Sequence, residues 1–158
     1  MKPRVPVTAE AATARLEALC ARSEHCSFEI YEKLRRMGIT GAEAQKIVDA
    51  LTDARYIDDL RYARFFVRDR YRFSGHGRIK IRIALSAKRI PRNIIDEAME
   101  EIEPEIYAET LRRVLMSKLA RTDISTFEGR TKVFRFGLSR GYESDLVSST
   151  LKEILRTL

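Results

Sequence analysis

With 158 residues, 44% of them hydrophobic and 34% charged, the chain has enough apolar material for a core and an unusually ionic surface. Seven glycines and four prolines are too few for the frequent turns of a sandwich or barrel, so helices are favoured. A net charge of +7 attracts anions at long range, two cysteines exclude a disulfide scaffold, and no apolar run approaches membrane-spanning length.

The opening MKPRVPVTAE has no apolar stretch of the signal-peptide kind. With the sparse cysteines, this points to a reducing cytoplasm, and residues 1–7 read as a loose tail. The first helical pattern follows at 8–22, TAEAATARLEALCAR. Helix, short turn and helix then follow in KLRRMGITGAEAQKIVDAL (33–51), where Gly38 suits a left-handed helix stop and Thr40 to Glu43 the capping box of the next helix.

The same order repeats. At 58–72, DDLRYARFFVRDRYR places Ala63, Phe66, Val67 and Tyr71 on one buried stripe, with Asp58 as the cap. ALSAKRIPRNIIDEAMEEI (84–102) gives a second hairpin, Pro91 suiting its second helix start. A third copy runs through PEIYAETLRRVLMSKLA (104–120) and FGLSRGYESDLVSSTLKEI (136–154), where Gly141 repeats the stop. Ile39, Ile90 and Tyr142 align as hinge residues, 51 and 52 positions apart. RIKIRIAL (78–85) alternates like a strand, but EIYEKL (29–34) and TKVFRFGL (131–138) fill the same slot, so it is expected to be helical.

The fold class is therefore all-α: three tandem three-helix, helix-turn-helix-like repeats at 8–54, 55–103 and 104–158. Units of about fifty residues bury little area alone, so they must stack, giving an elongated, curved array. Because the units can satisfy one another in cis, a monomer is expected.

Charge is distributed unevenly along this array. Lys plus Arg against Asp plus Glu is 8 to 8 in residues 1–54, 12 to 3 in 55–92, 0 to 6 in 93–105 and 10 to 6 in 106–158. Arg61, Arg64, Arg68 and Arg72 fall within about 80° on a helical wheel, opposite the apolar stripe. Arg78, Arg82 and Arg89 form a second line, with Lys88 and Arg92 beside it. These nine cations read either as a solvated face or as one anion-facing surface, and the 12-to-3 imbalance favours the latter. Phe65 lies beside the arginines, where it packs on a neighbouring repeat or stacks on a base. The acidic stretch DEAMEEIEPE (96–105) is a solvated face, a device that repels nucleic acid, or a match for a basic partner.

Chemistry for catalysis is not legible. Cys20, His25 and Cys26 cluster in sequence, but zinc takes four ligands and only His76 remains. Asp58 and Asp59 are adjacent and so diverge on a helix, reading as cap and first-turn charges. FSGHG (73–77) lacks the Lys-Ser/Thr of a phosphate loop and reads as a connector. No metal or cofactor is expected, nor an enzyme.

YIDDLRYARFFVRDR (56–70), a glycine-containing break and RIKIRIAL resemble the central signature of the RecX regulatory proteins. LRRMGI (34–39) resembles the Leu-Arg-x-Lys-Gly-Ile turn of that family, LSRGY (138–142) its C-terminal echo, and SEHCSFEIYEKL (23–34) the segment that opens its first repeat. Arg89 stands where the family often has Gly. The resemblance implies a non-enzymatic regulator that lies in the groove of the RecA filament on DNA. There it restrains recombination, ATP turnover and the co-protease activity of the SOS response. Its partners would be the RecA filament and single- or double-stranded DNA, with the nine cations facing them and no membrane involved. The alternatives are a general DNA-binding helical module acting through its basic face without RecA, an adaptor for an acidic protein, and, more distantly, a small enzyme.

Overall fold

The structure, a computed structural model, describes residues 6–158, so the tail expected at 1–7 falls mostly outside the described residues. Among those residues regular structure consists of nine α-helices, with no strand. They come in threes: α1 (Ala9–Arg22), α2 (Ser27–Arg36) and α3 (Gly41–Asp53); α4 (Asp59–Arg72), α5 (Arg78–Ala87) and α6 (Arg92–Met99); α7 (Pro104–Leu119), α8 (Phe127–Ser139) and α9 (Ser144–Arg156).

Within each trio the first and second helices pack against the third: α1 and α2 on α3, α4 and α5 on α6, α7 and α8 on α9. The strand-like stretch is α5. Its helical turn buries Ile81 and Leu85, one turn apart, and turns Ile79 and Ile83 to solvent at 49% and 65% exposure.

The helix stops are built alike because one backbone device recurs. After α2, Gly38 takes φ +83°, the Ile39 N–H bonds the Leu34 carbonyl at 2.9 Å, and the Gly38 N–H bonds that of Arg35 at 3.0 Å. This is the Schellman pattern, which satisfies carbonyls the helix end leaves open. It repeats with Arg55, Arg89 and Gly141 as the left-handed residue. The hinge residues Ile39, Ile90 and Tyr142 directly follow the left-handed position and are buried, closing each hairpin over the core. Arg89 thus adopts at φ +56° the conformation that glycine adopts elsewhere. The expected capping box at Thr40 does not form: Thr40 is the N-cap residue of α3, but its side chain makes no cap bond, and the next residue, Gly41, has φ +62°.

The core is continuous across the second and third trios and separate in the first. Tyr62, Val67, Tyr71, Ile81 and Leu85 share one apolar cluster with Tyr107, Leu115, Tyr142 and Val147, and α4 crosses α7 within it. Leu16, Ile30, Leu34, Ile47 and Leu51 make their own cluster. Cys26 and Phe28 are the side chains by which the first trio enters the larger one.

Candidate functional site

The α4 arginines lie where the helical wheel puts them, opposite Ala63 and Val67, but they are paired rather than free. Helix α4 packs along α6, where the acidic stretch begins before running through the turn to the N-cap of α7, and α4 and this stretch make a ladder. Arg64 Nη2 lies 2.9 Å from Glu97 Oε1, Arg68 Nη1 3.2 Å from Glu101 Oε2, and Arg72 Nη2 3.0 Å from Glu103 Oε1. Arg64 Nε also stands 3.5 Å from Glu101, and Arg82 of α5 reaches Asp96 at 2.7 Å. The acidic excess of 93–105 thus offsets part of the basic excess of 55–92 on one face.

The remaining cations sit at joints between trios. Arg61 donates to both carboxylate oxygens of Glu24, at 2.8 and 3.0 Å, joining the second trio to the first. Lys88 Nζ lies 3.5 Å from Glu29, and the Arg89 guanidinium stands 5.2 Å from the Phe28 ring centre. Although partial burial raises the Glu29 carboxyl's pKa, the bond from the Cys26 N–H and the Lys88 charge outweigh it and hold the group below its ordinary value. Asp59 clips the same joint: its Oδ1 accepts from the Ser27 N–H at 2.8 Å, serving a first-turn donor of α2. Asp58 caps its own helix through the Arg61 N–H at 3.0 Å.

Arg78 belongs to the opposite joint. Its guanidinium covers the Tyr107 ring at 4.0 Å and pairs with Glu143 at 3.2 Å, while Tyr107 donates its hydroxyl proton to Glu143 at 2.8 Å. Of the nine cations expected to form one surface, the structure groups Arg64, Arg68, Arg72 and Arg82 around the acidic stretch. It sets Arg61, Lys88 and Arg89 against the first trio and Arg78 against the third. Arg92 is exposed at the start of α6 and has no ion-pair partner among the described residues.

Such pairs are partly exposed, so each stabilises by only about 0–1 kcal/mol. Their effect on recognition is larger. A bare polyanion approaching Arg64, Arg68 and Arg72 meets Glu97, Glu101 and Glu103 as well, and like charges repel. A surface that alternates both signs can exchange partners with the ladder rung by rung.

The aromatics divide. Tyr62 and Tyr71 are core residues and Phe66 packs at its edge with Arg70 over its ring, whereas Phe65 and Phe73 are 52% and 80% exposed. The connector at 73–77 is bonded into the third trio: the Gly77 N–H reaches the Arg140 carbonyl at 2.8 Å and Arg140 donates to the Ser74 carbonyl. His76 within it is held neutral, its pKa brought down to about 4 by burial and then by Lys80, Arg140 and Arg70.

Cys26 is fully buried as the N-cap of α2, and burial pushes its thiol up to about 11. His25 bonds Ser23 at 3.0 Å. Among the described residues no three Cys, His, Asp or Glu side chains come together as metal ligands, and no helix is long and apolar enough to cross a membrane.

Sequence reasoning missed a second cationic region. Arg15 and Arg22 of α1 face Lys33 and Arg36 of α2 across a groove. The even 8-to-8 balance of residues 1–54 hid it, because none of the carboxylates of that segment lines the groove.

Comparison with known proteins bears on most of the chain. Residues 58–99, which span α4 to α6, match the family model described as RecX, second three-helix domain. A regulatory protein RecX of Vibrio campbellii is 35% identical over 133 residues, covering 84% of each chain. The fold is that of a crystal structure of regulatory protein RecX, with a TM-score of 0.81 at 24% identity over 92% of this chain and 73% of that one. RecX from Lactobacillus salivarius gives a TM-score of 0.79 at 21% identity, over 92% of this chain and 95% of that one. The tandem helical trios, the α4 signature they contain and identity along most of the length agree, and the chain belongs to the RecX family of regulatory proteins.

Proposed function

We propose that this chain is a non-enzymatic negative regulator of the RecA recombinase, acting in the cytoplasm. It binds the RecA–DNA filament and inhibits recombination, ATP turnover and co-protease activity. The observation that carries the reading is identity to proteins named as regulators over 84% of the chain. The surface offered to the filament centres on the ladder between α4 and the acidic stretch and continues through Arg82, Lys88, Arg89 and Arg92; Arg61 and Arg78 border it at the two joints.

The ladder supports a protein partner over naked DNA. Three carboxylates lie among its arginines, so phosphates alone cannot take the arginines without facing Glu97, Glu101 and Glu103. A filament presents protein surface of both signs together with phosphate.

The test is the single-strand-DNA-dependent ATPase of a bacterial RecA, titrated with this chain at fixed, near-physiological salt. Inhibition well below one copy per recombinase subunit, with far weaker binding to naked DNA, is expected. Full ATPase activity, alongside DNA binding that collapses as salt rises, would leave a general DNA-binding module.

A further inference from the structure

We infer that the groove between α1 and α2 is a docking site for an acidic protein segment that carries apolar side chains. Leu16 forms its buried floor, with Leu19 and Met37 half-buried beside it, and the groove encloses about 510 Å³. Arg15 and Arg22 stand on one bank, Lys33 and Arg36 on the other. None of these four has an ion-pair partner among the described residues, although Arg35, next along α2, takes Glu32 at 2.7 Å.

Helix ends explain part of the arrangement. Arg22, Lys33 and Arg36 lie in last turns, where carbonyl ends favour cations. Arg15 lies in the body of α1 and has no such reason to be there. Four cations around an apolar floor fit a segment that brings carboxylates for the banks and a leucine-like side chain for the floor.

Charge and chemistry decide against two other occupants. MKPRV, at residues 1–5, carries Lys2 and Arg4 and no carboxylate, so its charge does not complement the groove. Single-stranded nucleic acid needs aromatic faces for its bases, and the groove has none. The inference goes beyond the RecA reading and holds whichever protein supplies the segment.

The test uses the full chain labelled with 15N. It is titrated with a helical peptide bearing Glu on one face and Leu on the other, with the Gln-for-Glu counterpart, and with an oligothymidylate. The acidic peptide should shift amides of α1 and α2 and bind at least about tenfold more tightly than the Gln peptide. R15E with R36Q should weaken that binding at least about tenfold while leaving the thermal midpoint within about 4 °C, since both side chains are exposed and make no ion pair among the described residues. Equal affinity for the two peptides, or shifts confined to other helices, overturns the proposal. So do shifts of the same groove by the oligothymidylate, or self-association of the free chain through α1 and α2.

Discussion

Gly77 approaches Gly141 so closely that a β-carbon built on it would stand 2.2 Å from the Gly141 carbonyl oxygen. The reverse approach is as tight, since a β-carbon on Gly141 would lie 2.3 Å from that of Lys80. Here the N-terminus of α5 meets the C-terminal turn of α8. Gly77 N–H bonds the Arg140 carbonyl at 2.8 Å, and Ile79 N–H bonds that of Gly141 at 3.0 Å. Open donors of one helix start satisfy open acceptors of another helix end, with their dipoles in favourable order.

Gly141→Ala should therefore cost more than the same change at Gly38. Both have positive φ, but nothing lies within 4 Å of a β-carbon at Gly38. Urea melts should place Gly38→Ala about 1 kcal/mol below the parent and Gly141→Ala about 2–3 kcal/mol below. Equal losses would mean that crowding at the α5–α8 junction is relieved by a small shift.

The ladder separates stability from recognition. R68E alone removes a pair and sets like charges together, lowering stability by about 1 kcal/mol. R68E with E101R reverses the rung, and stability should return to within about 0.5 kcal/mol of the parent. Filament binding should stay weakened in the reversed rung, measured by co-sedimentation with RecA on single-stranded DNA. Recovery of both together would make the rung a structural contact only.

His76 gives a pH signature. Its folded pKa lies near 4, below its unfolded value, so between these the unfolded chain binds more protons. Stability contributed by the neutral ring is complete above about pH 6.5 and lost as pH falls toward 4. Asp69 favours the charged ring but is outweighed by burial, Lys80, Arg140 and Arg70. Urea midpoints of the parent should fall across that window, and those of His76→Gln should fall less.

The two thiols should react apart. Cys26 is fully buried with its pKa raised to about 11, while Cys20 is half-buried and raised less far from its ordinary value. A thiol-reactive dye at pH 7.5 should label Cys20 first and Cys26 only with denaturant, read by mass spectrometry of the peptides. Prompt labelling of Cys26 would show that the α2 N-terminus opens readily.

The helices were legible because burial follows the 3.6-residue period, and α5 shows the limit of that signal. Isoleucines at 79, 81 and 83 satisfy a strand's alternation, and only packing reveals that one is buried. Arg89 looked like a departure from the hinge pattern, yet its backbone follows that pattern, since four left-handed turns share one hydrogen-bond scheme. The arginine stripe was legible as a direction on α4 but not by what lay opposite. A wheel contains one helix, and the partners lie 31 to 33 residues away. That near-constant separation, with opposite charges at each step, was the signal available in the sequence.

The two joints between trios respond differently to dissolved salt. The second and third trios share an apolar core, which screening does not weaken. The first is joined to them by a smaller apolar contact, through Cys26, Phe28 and the linker residue Ile57, and by carboxylates on Arg61, Lys88 and Ser27. The joint to the first trio is thus the more ionic of the two, and that trio carries the α1–α2 groove. A rise in ionic strength should weaken the pairs at this joint at the same moment that it weakens the hold of a charged partner on the groove.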